Sequence, residues 1–415
     1  MRIAIVHPSL GLRRGADRVG MWLAEGLARR GYSILLITAE YNDELYGARD
    51  QLPFQLIEVG GPGYGNSGLV ELVQLGHKLG DLLQACDLVV ASNYPTYQWV
   101  YFARVSRRSL APVVWLCYEP PRVLYDSVFN QHAVGVLPSE ARRDSLGRWL
   151  REKGLLQTLI HRPGLLLPNV IAQGIQRVVD QQAVRAIEHI VSISAFSAEL
   201  TQRIYGRQDV PVCPVGIPIP EPHNDEPSSG SYLLTASPLM RIKNVETIIR
   251  AVHLLAQSGR FAGNKYVIAG DGSDRTRLVD LVADLNLQEV VEFRGFVSDD
   301  ELQQLYHHAK AVAYLPFDEP FGLVFLEAAA FAVPVIAPNH GGALEIVVDG
   351  VTGYLVEPSS VESVAEVILC LLTDDALSKR LGQAGRARFH EMFTIESFLD
   401  RFEALALAGT EFETK

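Results

Sequence analysis

The sequence predicts an α/β protein built from two doubly wound parallel sheets. Three observations predict it. The chain opens on a strand, a glycine-punctuated loop, a helix and a second strand. A new strand–helix series begins after residue 231. A proline-rich stretch separates the two. At roughly 100–200 residues per domain, 415 residues are enough for two domains, and two βα series in tandem imply two Rossmann-like domains rather than one large sheet.

The elements follow in order. Residues 3–7 form a continuous apolar run, the mark of a strand buried on both faces. The loop Gly11-Leu-Arg-Arg-Gly15 comes next. Val19, Trp22, Leu23 and Leu27 then recur at helical spacing over residues 16–30, and Gly31 closes that helix as a C-terminal cap. Residues 33–38 give the second strand. This order is the start of a parallel sheet with right-handed crossovers. Further buried strands are expected at 88–92, 112–116 and 190–194. The stretch 211–230 holds prolines at 211, 214, 218, 220, 222 and 227 and reads as a linker. Beyond it, strands are expected at 232–236, 266–269, 290–293, 311–315, 333–337 and 353–356. Helices are expected at 245–257, 275–285 and 301–309. The domains expected are 1–220 and 221–394, with an amphipathic helix at about 395–408 packing back onto the first.

The formal charge of −11 argues against nucleic acid as the main partner. The charge is uneven: residues 1–215 carry 22 Lys/Arg against 19 Asp/Glu, whereas residues 216–415 carry 15 against 29. The two halves therefore present different surfaces. Cysteines 86, 117, 213 and 370 have neither metal-ligand nor disulfide-framework spacing. A reduced, cytoplasmic setting is expected. The opening MRIAIVHPSL reads as a strand rather than a signal peptide, and no run of 18 apolar residues is present. Residues 140–162 hold Arg142, Arg143, Arg148, Arg151, Lys153 and Arg162 among leucines and Trp149. Such a helix fits either a solvated cover over the core or peripheral contact with the inner face of an anionic membrane.

The sharpest local signal is Glu319-Pro-Phe-Gly-Leu-Val-Phe-Leu-Glu327. Pro320 suits a first helical position. Glu319 would stand just before the helix and Glu327 about two turns in. The open amides and positive dipole end of such a helix favour a phosphate or sugar oxygen, and carboxylates accept hydrogen bonds from vicinal hydroxyls. An acidic helix cap and a surface glutamate would give the same spacing. Ala269-Gly-Asp-Gly-Ser273 reads as a tight βα turn or a weak phosphate loop. His340-Gly-Gly-Ala-Leu-Glu345 opens a helix after a strand. His7, at the end of the first strand, reads as a satisfied strand-end histidine or a functional one.

Together these segments resemble the retaining glycosyltransferases of the GT-B fold, in particular glycosyltransferase family 4 (group 1). The resemblance rests on IVHPSLGLRRGADRVGMWLAEGLARRGYSILLIT, on IVSISAFSAELTQRIYG and, most specifically, on LPFDEPFGLVFLEAAAFAVPVIAPNHGGALEIVVDGVTGYLV. It implies two Rossmann-like domains facing an interdomain cleft. The activity implied is transfer of a hexose-type sugar from a nucleoside diphosphate sugar to a hydroxyl of a glycan or lipid-linked acceptor. It runs with retention and without a metal or other cofactor. By the resemblance, Glu319 lies against donor-sugar hydroxyls, Gly322 and Leu323 offer amides to the diphosphate, and Glu327 accepts from the ribose. Gly15 lets the first loop approach the phosphate, and Phe296 meets the nucleobase; apart from the resemblance, the amides at His340, Gly341 and Gly342 either face the donor sugar or phosphate or make a plain turn. Lys243 matches the family's phosphate-binding lysine. The arginine usual five positions earlier is replaced by Pro238, and Arg241 is the candidate substitute. A histidine usual before Glu-Pro-Pro is replaced by Tyr118, which donates or accepts a hydrogen bond but is a poor base at neutral pH. Glu119 and Arg122 line the acceptor side or make a structural turn. These two departures leave a non-catalytic nucleotide-sugar-binding protein of the same fold as the alternative, beside a nucleotide-sugar epimerase.

Overall fold

A computed structural model of the chain describes residues 1–61, 63–64, 69–107, 110–125, 163–220 and 232–407. The described residues form two compact units. One takes the chain up to Val215 and again from Ile395; the other takes Gly216–Thr394. Residues 140–162 lie outside the described residues.

The first unit holds six parallel strands: β1 (Arg2–His7), β2 (Ser33–Thr38), β3 (Gln55–Glu58), β4 (Leu88–Ser92), β5 (Val113–Cys117) and β6 (His189–Ser192). Their order in the sheet is β3-β2-β1-β4-β5-β6. Strands β4 and β5 are buried along their whole length, which is why they read as unbroken apolar runs. The edge strand β3, QLIE, is half exposed. The helix Gly15–Arg29 crosses from β1 to β2; Gly31 follows with φ +91°, a conformation that costs any side chain with a Cβ.

The second unit repeats the plan with β7 (Tyr232–Ala236), β8 (Lys265–Ala269), β9 (Val291–Gly295), β10 (Ala309–Ala313), β11 (Val335–Pro338) and β12 (Gly353–Val356). Their order, β12-β11-β10-β7-β8-β9, is the same topology as in the first unit, and every pairing is parallel. In this topology the strand order reverses beside the first strand of each unit, and ligands gather outside the carboxyl ends of the strands there.

The segment Ile395–Leu407 packs within the first unit. The helix Ile395–Phe402 lies on the helix Gly15–Arg29; a Cβ on Gly26 would sit 2.4 Å from a Leu399 methyl. Arg30 closes the contact with ion pairs to Glu396 (2.6 Å), Asp400 (2.8 Å) and Glu403 (2.5 Å). The last turns, Glu403–Leu407, widen to a π-helix.

Candidate active site

The acidic motif leaves the carboxyl end of β10, beside β7. The expected helix start at Pro320 is not found. The helix is Leu323–Ala330, with Gly322 as its N-cap at φ +101°. A φ of +101° lies outside the helical region and favours glycine, and a Cβ there would lie 2.5 Å from the Phe325 ring. Leu323 opens the first turn, where amides lack a carbonyl one turn back. Glu327 is therefore the fifth helical residue, little more than one turn in, rather than two.

Lys243 arrives from the loop after β7, in the short 3-10 turn Arg241–Lys243. The amide of Phe317 donates to the Ile242 carbonyl at 2.9 Å, which docks this turn on the β10 loop. Lys243 Nζ then donates to Glu319 Oε2 at 2.8 Å and to Tyr314 Oη at 2.9 Å. The Tyr314 hydroxyl donates to the same carboxylate oxygen at 2.8 Å. Lys243 and Glu319 are mostly buried, at 20% and 14% side-chain exposure. A charged hydrogen bond that far from water is strong and directional.

The loop after β11 clamps this group from behind. The Gly342 amide donates to the Glu319 carbonyl at 2.8 Å, and the Asp318 amide donates to His340 Nε2 at 3.3 Å. A Cβ on Gly342 would lie 2.4 Å from the Pro320 carbonyl oxygen and 2.5 Å from Phe321 Cα. Those neighbours are backbone and cannot swing aside. Gly342→Ala is expected to destabilise the second unit by about 1–3 kcal/mol and to weaken nucleotide binding with it; thermal unfolding with and without UDP or GDP reads both.

Glu327 is buried and accepts from the Tyr306 hydroxyl at 2.8 Å. It is thus neither a surface glutamate nor a cap. Tyr306 comes from the helix Asp299–His308 and stacks on Phe331, their planes 9° apart. Phe296 follows β9 and is 75% exposed. Gly341 takes φ +70° against the Glu319 backbone. Arg241 turns to another cluster, pairing with Asp274 (3.1 Å) and Glu246 (3.9 Å), carboxylates that Arg277 also holds at 2.6 Å each. The Gly270-Asp-Gly272 run packs its two glycines on the backbone of Ser237 and Leu239.

In the first unit, Gly15 is the first residue of its helix, and the Arg14 amide before it donates to Asp17 at 3.2 Å. Tyr118 is buried, sharing a 3.1 Å hydrogen bond with Ser92. Burial pushes its phenol well above the ordinary tyrosine range, so Tyr118 suits hydrogen bonding and not proton abstraction. Ser92 meets His7 Nδ1 at 3.1 Å, and His7 Nε2 meets Asp17 at 3.4 Å. His7 is fully buried and partnered on both ring nitrogens. Arg122 pairs with Glu119 at 2.7 Å. Among the described residues no cluster of three His, Cys, Asp or Glu has metal-site geometry, and no helix is long and apolar enough to cross a membrane.

The sequence reading missed Tyr314 and Tyr306, both of which hold a motif glutamate. The available signal was alternation: Tyr314 is a polar-tipped residue at the end of an apolar strand, the position from which a side chain reaches the carboxyl edge of a sheet.

Comparison with known proteins adds the family. Residues 221–388 match the family described as "Glycosyl transferases group 1". The chain is 24% identical to N-acetyl-alpha-D-glucosaminyl L-malate synthase of Bacillus anthracis, covering 96% of this chain and 94% of that protein. It is 25% identical to the human alpha-1,3/1,6-mannosyltransferase ALG2 with the same coverage. Among solved structures, Anabaena HepE in complex with UDP and glucose superposes over the whole of both chains with a TM-score of 0.72 at 18% identity. Residues 221–388 thus carry the match to the group 1 glycosyltransferases, the chain is similar along nearly its whole length to glycosyltransferases, and its two sheets of the same topology have the GT-B fold.

Proposed function

We propose that the protein is a retaining, metal-independent hexosyltransferase that uses a nucleoside diphosphate sugar and delivers the sugar to a hydroxyl of a glycan or lipid-linked acceptor. The observation that carries this reading is the Lys243–Glu319–Tyr314 cluster, set at the carboxyl edge of the second sheet beside the start of the helix Leu323–Ala330.

Departure of the nucleotide builds negative charge on its phosphates while the sugar ring becomes positive. Lys243 is a point charge already held in place, and a preorganised charge costs no rearrangement when the bond breaks. The amides at Gly322 and Leu323 add the helix-start dipole. Glu319 accepts from sugar hydroxyls, Glu327 accepts from the ribose, and Phe296 offers a face to the base. Tyr306 holds one oxygen of Glu327 at 2.8 Å, which fixes the direction of the other. A solved structural neighbour holds UDP and a sequence relative is named as GDP-mannose-dependent, so uridine and guanosine nucleotides are to be separated by assay.

The test incubates the protein with UDP- and GDP-sugars, a glycan and lipid acceptor extract, and a chelator. Transfer that persists with the chelator and keeps the anomeric configuration supports the reading. Tight nucleotide binding with neither transfer nor hydrolysis would instead favour a binding protein. In the same assay Glu327→Ala should raise the donor KM about 10-fold or more, and Tyr306→Phe about 3–10-fold, with kcat little changed, since each removes binding common to ground and transition states.

A further inference from the structure

We infer that Asn244 is a positioning residue for Lys243: its side chain ties the turn that carries the lysine to the end of β12 instead of capping the helix it starts. This rests on the transferase reading above, in which Lys243 meets the leaving phosphate.

Lys243 ends a turn of three residues, too short an element to hold a charge in place by itself. Within it the Lys243 amide donates to the Met240 carbonyl at 2.9 Å and the Asn244 amide to the Arg241 carbonyl at 3.1 Å. On the upstream side Arg241 is held by ion pairs, but its side chain is 38% exposed, and water screens such pairs. The downstream side is dry. Asn244 and Thr247 are both buried.

Asparagine is common directly before a helix for a known reason. Its backbone is extended there, and its side-chain oxygen accepts from an amide of the first turn. Asn244 precedes the helix Val245–Gln257 and does neither. Its backbone is left-handed, at φ +55° and ψ 37°, and its side chain makes no cap hydrogen bond. Instead Nδ2 donates to the carbonyl of Pro358, 114 residues away, at 2.8 Å, and Oδ1 accepts from the Thr247 hydroxyl at 2.8 Å. Pro358 follows β12. Glycine would take the same backbone conformation at less cost, so the backbone alone does not call for asparagine. The tether does. It fastens the reversal of the chain next to Lys243 to two fixed parts of the second unit, and bonds shielded from water are hard to replace. The Phe317 amide on the Ile242 carbonyl holds the turn at its middle. Between these two supports the ammonium comes to rest on Glu319 and Tyr314.

Asn244→Gly keeps the left-handed conformation and removes both side-chain bonds, and circular dichroism checks that it folds. The full chain is acetylated with acetic anhydride and read by mass spectrometry at each lysine. Lys243 is expected to react about 5–20-fold faster in Asn244→Gly than in the wild type, with the exposed Lys265 and Lys379 unchanged. Thr247→Val removes one bond and leaves the turn's backbone alone; a smaller rise of the same kind is expected, and it carries the test if the glycine variant does not fold. In the transfer assay Asn244→Gly should lower kcat about 10-fold. That fall should vanish when Lys243 is already alanine, because the asparagine acts only through the lysine. Wild-type labelling of Lys243 in both variants, or an equal fall in kcat with and without Lys243, overturns the proposal. Faster labelling beside a wild-type kcat in Lys243→Ala would keep the tether and remove the transferase reading. A lost kcat in Lys243→Ala beside unchanged labelling would do the reverse.

Discussion

Lys243→Ala is expected to lower kcat about 10²–10³-fold, the usual loss when one preorganised partner of a developing charge is deleted. Two effects add. The leaving diphosphate loses the point charge that Lys243 provides. Glu319, now lacking its 2.8 Å cation, keeps a largely buried carboxylate that repels the phosphates instead of countering a neighbour. Lys243→Arg should recover little, because a planar fork cannot occupy the place of an ammonium held between Tyr314 and Glu319. Tyr314→Phe separates position from charge: the cation remains, but its 2.9 Å tether is gone, and a smaller fall in kcat with donor affinity nearly unchanged is expected. Steady-state kinetics on the three variants, with nucleotide binding measured separately, read these terms. Wild-type kcat in Lys243→Ala would remove the site assignment.

The parts of this arrangement differ in how far the sequence shows them, and the reason is range. Buried parallel strands write themselves as apolar runs, so β1, β4 and β7 are legible within a residue. Gly31 and Gly322 are legible as glycines, but the part Gly322 plays is not. Pro320 suits a helix start in sequence, but the helix begins only after Gly322, whose φ of +101° is set by the fold and is not written in the local pattern. The half-exposed β3, with two apolar residues in four, carries too little signal to be read locally. The contacts that build the site join residues far apart in the chain: Lys243 with Glu319, Tyr306 with Glu327, His340 with Asp318. No local pattern encodes such pairs. The family resemblance points to Lys243, Glu319 and Glu327, while the tyrosines bonded to them come from the topology, which sets β7 next to β10.

The second large effect falls on stability, at a residue no motif contains. Asp180, on the helix Pro163–Arg185, is fully buried. It accepts from the hydroxyls of Tyr97, Tyr125 (2.8 Å) and Tyr205 (2.8 Å) and from Gln98 (3.0 Å). Three elements besides its own helix converge on one carboxylate, so Asp180→Ala strands several buried donors at once and is expected to cost about 3–5 kcal/mol. Asp180→Asn keeps one acceptor oxygen, and its amide can donate to a tyrosine oxygen; about 1–2 kcal/mol is expected. Burial pushes the Asp180 carboxyl above the ordinary aspartate range despite the donors around it. The folded state therefore binds the proton more tightly than the unfolded chain. Its contribution is greatest at low pH and declines as pH rises from the ordinary aspartate value to the raised folded one, then levels off. Asp180→Asn should abolish that decline. All four tryptophans lie in residues 1–215, and Trp115 packs against Tyr97 with ring centres 4.2 Å apart and planes tilted by 40°. Urea unfolding followed by tryptophan fluorescence thus reports on the unit that holds Asp180. Equal stability of the Ala and Asn variants across pH would mean that the tyrosine hydroxyls find other partners and that the carboxylate is not their organiser.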